Sequence, residues 1–318
     1  MTVDHNESAA SLAEKIAALK KEKHAVILAH YYTLAEVQQI ADFTGDSLAL
    51  SQRAAETDAR IILFAGVHFM AETAKILSPD KKVLLPEPEA GCSLADSCPA
   101  EDFGRFLKDY PGHTVVSYVN TSVGVKALTD ICCTSGNAVE VIESLPRDEK
   151  IVFAPDRNLG NYIKSLTGRQ DMVVWDGACG VHEEFSVEKI LELKKLHPEA
   201  KVLAHPECRR PVLLVADHIG STAALLKFAS EDPAREFIVV TEAGILHRMR
   251  QENPGKTFIP APPAGSSCGC NNCAYMKMVT LEKIYRALRD EKPEVLIDEE
   301  VRRRAEGSIR RMLAVRRG

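Results

Sequence analysis

The feature that most constrains this chain is a plan repeated three times along its 318 residues. Three short apolar, β-rich runs open the copies: HAVILAHYY from His24, HTVVSYVNT from His113 and AKVLAHPEC from Ala200. Each leads to a small polar cluster that opens a helical pattern: GDSLALSQRA from Gly45, TSGNAVEVI from Thr134 and GSTAALLKFA from Gly220. A second apolar run follows in each (RIILFAGVHF, KIVFAPDRN, FIVVTEAGI), then a second helical pattern, then a third run (KKVLLPEPEAGC, DMVVWDGACG, KTFIPAPPAG). The period is about 85–90 residues, far longer than solenoid repeats.

Short apolar runs bounded by Gly and Pro, alternating with helical periods, predict parallel strands joined by crossover helices. The expected fold class is α/β, with three homologous αβα sandwich domains. Their expected spans are residues 1–110, 111–197 and 198–273, with C-terminal helices in 274–318 packing on the first. Parallel sheets bind ligands at the carboxyl ends of their strands. In every copy the polar residues stand just there, so three copies facing a common axis would build one composite site.

Net charge is −5 and 27% of residues are charged, which gives no electrostatic reason to expect nucleic acid or an anionic membrane. The C-terminal basic cluster (Arg302, Arg303, Arg304, Arg310, Arg311, Arg316, Arg317) is interleaved with Glu299, Glu300 and Glu306, and reads as the solvated face of a terminal helix. No apolar stretch reaches 18 residues, and the N-terminal segment lacks the apolar core of a signal peptide. The expected location is cytoplasmic. In a reducing compartment the nine cysteines are metal ligands, catalytic groups or core fillers rather than disulfides.

Each third run ends in a cysteine-bearing loop: Glu89-Ala-Gly-Cys92, Asp176-Gly-Ala-Cys179-Gly-Val-His182, and Gly265-Ser-Ser-Cys268-Gly-Cys270-Asn-Asn-Cys273. One thiolate per copy makes three, one short of a closed zinc or cluster site. A four-iron cluster so held keeps one iron open to act as a Lewis acid. Spacing does not choose among Cys268, Cys270 and Cys273. Cys270-x-x-Cys273 also fits half a zinc site or a redox pair. Cys98, Cys132, Cys133 and Cys208 read as core residues.

Acid–base and anchoring candidates follow the first strands: His30 and Tyr32, Tyr118 and Asn120, His205 and Glu207. Histidine suits proton transfer near neutral pH, and burial can raise a glutamate into the same range. Ser47, Ser135 and Thr222 stand where the next helices begin, as N-caps or as anion anchors. Thr241, Glu242 and His182 are further candidates.

Together AHYY (29–32), GDSLALS (45–51), PEPEAGCSLADSC (86–98), YVNTSVGVKALTDICCTSGNA (118–138), FAPDRNLGNYI (153–163), GACGVHEEF (177–185), HPEC (205–208), GSTAALL (220–226), TEAG (241–244) and CNNCAYMKM (270–278) resemble the quinolinate synthase family over about residues 25–285. The resemblance implies a pseudo-threefold axis with one [4Fe–4S] cluster per chain at the centre, held by Cys92, Cys179 and Cys273. It implies condensation of iminoaspartate with dihydroxyacetone phosphate to quinolinate, on the route to NAD, with loss of phosphate and two waters. Glu207 would be the general base, with His205 and Tyr32 assisting. His30, Ser47, Tyr118, Asn120, Ser135, Thr222 and His182 would bind substrate. L-Aspartate oxidase or an aspartate dehydrogenase would supply iminoaspartate. Many relatives carry C-x-x-C-x-x-C in the third loop, whereas this chain has Ser267 at its first position, and Ala274 replaces a common proline. Two other classes stay open: a non-catalytic iron–sulfur or redox-sensing protein using only the third loop, and a zinc hydrolase.

Overall fold

The computed structural model describes residues 8–265 and 271–315. It contains three all-parallel, four-stranded sheets. In chain order the strands are β1 (Ala25–His30), β2 (Phe43–Gly45), β3 (Ile61–Ala65), β4 (Lys82–Leu84), β5 (Thr114–Tyr118), β6 (Ile131–Cys133), β7 (Ile151–Ala154), β8 (Val173–Val174), β9 (Lys201–Ala204), β10 (His218–Ile219), β11 (Glu236–Val240) and β12 (Thr257–Pro260). The orders β2-β1-β3-β4, β6-β5-β7-β8 and β10-β9-β11-β12 are one topology used three times. The central strands are apolar and almost wholly buried, as a sheet covered on both faces requires. In each sheet the order reverses between the first and third strands, which opens the crevice where α/β proteins place ligands.

Four strands per sheet is one more than the three runs predicted. The additional strands β2, β6 and β10 are two or three residues long, too short for any periodicity to betray them. An aspartate pins each one. Asp42, Asp130 and Asp217 accept the backbone N–H of Ile27, Val115 and Val202, each fifteen residues upstream, at 2.8, 2.8 and 2.7 Å. Each aspartate's own N–H bonds back to the same residue's carbonyl.

The chain divides into two compact units, Met1–Gly91 with Ala274–Ile297, and Cys92–Cys273 with Asp298–Gly318. The first holds one sheet. Its core joins Leu12 and Ile16 of the helix Ala9–Lys23, Ile27, Ile61 and Leu63 of the sheet, and Ile284 and Leu288 of the helix Leu281–Asp290. The second unit holds the other two sheets and the last helix, Glu299–Ala314. Here the structure departs from the sequence expectation, because that helix packs on β6 and the turn Val123–Lys126 rather than on the first sheet. Ser308 Oγ donates to the Lys126 carbonyl at 3.2 Å, Arg311 to the Asp130 carbonyl at 2.9 Å, and Ile309 and Met312 are buried. Among the described arginines of the basic cluster, Arg303, Arg304, Arg310 and Arg311 are exposed, as the pattern implied, and Arg302 is the exception. Arg302 is buried and ion-paired with Glu299 and Glu306 at 2.7 and 2.6 Å. No helix among the described residues is long and apolar enough to cross a membrane.

Candidate active site

The second unit gathers polar residues from the carboxyl ends of β5, β7, β9 and β11. Glu207 lies just past β9 and is buried. Its Oε1 accepts the Tyr118 hydroxyl at 2.6 Å, and its Oε2 lies 3.0 Å from His182 Nδ1. Tyr118 closes β5, and His182 rides the single turn Gly180–Glu183 after the Cys179 loop. The backbone of Glu207 is tethered as well. Asn158 Nδ2 donates to its carbonyl at 3.0 Å and to Glu183 at 2.6 Å, and Arg157 grips the other Glu183 oxygen at 2.9 Å.

Electrostatics sets the protonation of this group. Burial pushes the Glu207 carboxyl up, but the neighbouring His182 and His205 and the hydrogen bonds from His182 and Tyr118 outweigh it, so its pKa is lowered. The sequence expectation of a glutamate raised toward neutrality is therefore corrected: two donors favour the ionised form more than burial disfavours it. Burial lowers His205 to about 4, so its ring is neutral. Glu207 N–H points to His205 Nδ1 at 3.4 Å, which leaves Nε2–H to meet Ser135 Oγ at 3.2 Å. Asp156, also buried, moves the opposite way from Glu207: burial and the nearby Glu207 charge raise its carboxyl well above the usual range. Its Oδ1 caps the helix Arg157–Thr167, while Oδ2 is buried with no hydrogen-bond partner among the described residues.

Three cysteine-bearing segments interlock beside this cluster. Gly180 N–H donates to Ser93 Oγ, next to Cys92, at 3.1 Å, and Trp175 donates to the Ser97 carbonyl at 3.0 Å. Asn271 Nδ2 donates to the Val181 carbonyl at 2.5 Å, and Glu242 Oε1 accepts the Cys273 N–H at 3.0 Å. Gly177 is required in the middle loop, where a Cβ would collide with the Pro155 carbonyl and the Ser97 hydroxyl. Cys92, Cys179 and Cys273 are half-buried, whereas Cys98, Cys132, Cys133 and Cys208 are buried. Desolvation pushes the Cys92 thiol up to about 12, with Cys273 and Glu207 adding to the rise. Cys179 is raised well above its ordinary value by desolvation, then by Glu207 and Cys92. Thiols this weakly acidic, close enough to repel one another as anions, are a donor set that a cation would convert to thiolates. Cys268 and Cys270 lie outside the described residues. Cys179, His182 and Glu207 also place one ligand atom each within 4.8 Å of one another, a possible metal-binding triad.

The remaining candidates fall as follows. Asn120 follows β5, and its Oδ1 is buried with no hydrogen-bond partner among the described residues. Thr222 is the first residue of the helix Thr222–Glu231, whose cap is Ser221. Ser47 likewise opens its helix while Asp46 caps it. Ser135 is not a cap either. At that point Asn137 Oδ1 receives the Thr134 N–H at 2.7 Å and leaves Ser135 to His205. The capping alternative therefore fails for all three hydroxyls, each displaced from its cap position. His30, Tyr32 and Ser47 belong to the first unit. His30 closes β1 with Nδ1 taking the Tyr32 N–H at 3.2 Å, the two rings lie edge to face at 4.5 Å, and Lys277 donates to the Tyr32 carbonyl at 2.6 Å.

Asp156, Asn158 and Glu183 were not singled out from sequence. The available signal was position: Asp156 and Asn158 follow a second strand, as Thr241 and Glu242 do.

Comparison with known proteins covers most of the chain. The family model described as "Quinolinate synthetase A protein" matches residues 14–314. The chain is 57% identical over 306 residues to the quinolinate synthase of Synechococcus sp., covering 96% of this chain and 95% of that one. It is 58% identical over 295 residues to that of Microcystis aeruginosa, covering 93% and 92%. With Thermosynechococcus vestitus the identity is 57% over 302 residues, covering 95% and 94%. Identity of this extent over nearly the full length of each relative places the chain, an enzyme of the quinolinate synthase type, in the quinolinate synthetase A family.

Proposed function

We propose that the chain condenses iminoaspartate with dihydroxyacetone phosphate, releasing phosphate and two waters and closing the pyridine ring of quinolinate for NAD biosynthesis. The observation that carries this reading is the buried Glu207, 2.6 Å from the Tyr118 hydroxyl and 3.0 Å from His182 Nδ1, which itself lies 3.2 Å from Cys179 Sγ. Cys92, Cys179 and Cys273 would hold one [4Fe–4S] cluster per chain, which would supply Lewis-acid chemistry when bound.

The chain's own residues do the rest. Condensation and dehydration require a proton to leave carbon next to the imine, and Glu207 is in the proton-accepting state with its donors fixing both oxygens. A lowered pKa makes it a weaker base, so positioning rather than basicity provides the advantage. Neutral His205 presents an N–H, shared with Ser135, to a substrate oxygen. Tyr32, with His30, acts as the second proton-transfer group. Ser47, Ser135 and Thr222 anchor carboxylate or phosphate oxygens. Asn120 Oδ1 lacks a partner among the described residues, and a substrate hydroxyl or amine would satisfy it. The imine substrate would come from L-aspartate oxidase or an aspartate dehydrogenase.

The test is Glu207→Gln, which should retain iron and lose quinolinate formation; normal turnover would place the base elsewhere. A second reading has one observation in its favour. Cys179, His182 and Glu207 could hold a single zinc ion, as in a hydrolase. Metal analysis separates the two.

A further inference from the structure

We infer that Lys277 is a positioning residue that holds the backbone of Tyr32 where its phenol can exchange a proton with substrate. The inference rests on the proposed role of Tyr32 and deepens it. Tyr32 stands in the loop between β1 and the helix Ala35–Ile40, where neither strand nor helix fixes the chain. Side chains fix it instead. Gln38 Nε2 donates to the Tyr31 carbonyl at 2.8 Å and to the Thr33 carbonyl at 3.0 Å. Thr33 Oγ1 donates to the His30 carbonyl at 2.9 Å, and His30 Nδ1 takes the Tyr32 N–H at 3.2 Å. These partners are local to the loop. The carbonyl of Tyr32 itself is met by Lys277 Nζ at 2.6 Å, from 245 residues along the chain.

An ammonium on a carbonyl makes a charge-assisted bond, shorter and stronger than a neutral one. A lysine braces a loop only where its own backbone is fixed. Lys277 ends the single turn Ala274–Lys277, and the residues around it are anchored. Met276 is buried, and Val279 joins the same core as Ile27 and Ala29 of β1. The brace therefore ties Tyr32 to the strand it follows. Removing Nζ leaves the local bonds in place but releases the Tyr32 carbonyl, so the backbone no longer sets where the ring stands. A displacement of about 1 Å at a reacting group costs about 100-fold in rate, and partial loosening costs less.

Lys277→Met keeps the stem and removes the donor. Lys277→Gln, two bonds shorter, replaces it should the methionine variant not fold. The measurement is a double-mutant cycle on the full-length, iron-loaded chain: wild type, Lys277→Met, Tyr32→Phe and the two together. Lys277→Met alone should lower kcat about 10-fold, with KM and iron content nearly unchanged. In the Tyr32→Phe background it should lower kcat no further, because the group it positions is gone. Hydrogen exchange read by mass spectrometry should show faster exchange over residues 31–34 in Lys277→Met. Losses that multiply across the cycle, or a raised KM that persists in Tyr32→Phe, would show that Lys277 acts elsewhere and overturn the inference. Wild-type exchange over the loop would overturn it as well. Full activity of Tyr32→Phe would remove the reading beneath it. Exchange separates the two failures, since it reports the hold of Lys277 on the loop whatever Tyr32 does.

Discussion

The ends of β1 and β9 share one backbone device and differ in what they make of it. At both, a buried histidine closes or follows the first strand, and its Nδ1 takes the N–H of the residue two positions on: Tyr32 to His30 at 3.2 Å, Glu207 to His205 at 3.4 Å. In the first unit that second residue is a half-buried tyrosine packed edge-on against its histidine. In the second unit it is a buried carboxylate drawn into bonds with Tyr118 and His182. The repeat therefore supplies the scaffold, and substitution at one position supplies the chemistry. At β5 the pattern is Tyr118-x-Asn120, so the middle copy contributes a donor to its neighbour's carboxylate instead of its own acid–base pair.

Breaking this asymmetry should have graded effects. The largest is expected for Glu207→Gln, which keeps the shape but removes the proton acceptor; kcat should fall by at least about 100-fold, read from quinolinate formation. Tyr118→Phe leaves Glu207 with one donor fewer, and a loss of about 10-fold in kcat is expected, with normal iron content. A smaller effect concerns stability. The folded His205 pKa, about 4, lies below the unfolded value of 6.5, so the unfolded chain binds more protons in that window. Stability from this group is complete above pH 6.5 and is lost as pH falls toward 4, by about 3 kcal/mol. His205→Gln should flatten that part of the urea-unfolding profile, and an unchanged slope would assign the acid sensitivity elsewhere. The smallest effect tests the scaffold. Asp130→Ala and Asp217→Ala should each cost about 1–2 kcal/mol by leaving a strand N–H unpaired, and unequal costs would show that the pins are not equivalent.

Much of the scaffold was readable because buried parallel strands leave continuous apolar runs, as Val26–Ala29 and Phe237–Val240 do. The edge strands β2, β6 and β10 were not, since two or three residues carry no period. The aspartates that pin them are visible in sequence, but only the structure shows that each spans fifteen residues to its partner. The helix caps were misplaced by one residue at Ser47 and Thr222, because neighbouring Ser, Thr and Asp residues are equally good caps in sequence. Glu207 shows the deeper limit. Its burial was foreseeable, but the sign of its shift depends on donors from residues 89 and 25 positions away. The last helix went to the second sheet because its apolar stripe, Ala305, Ile309 and Met312, fits β6, and a stripe does not name its partner.

The central claim is that Cys92, Cys179 and Cys273 hold an iron–sulfur cluster beside Glu207. The most direct test is metal and acid-labile sulfide analysis of chain purified without oxygen, for wild type and for the Cys92→Ala, Cys179→Ala and Cys273→Ala variants. The account predicts about four iron and four sulfide per wild-type chain, and loss of both in each variant. Stoichiometric zinc without iron, or a full complement of iron in any of the three variants, would contradict it.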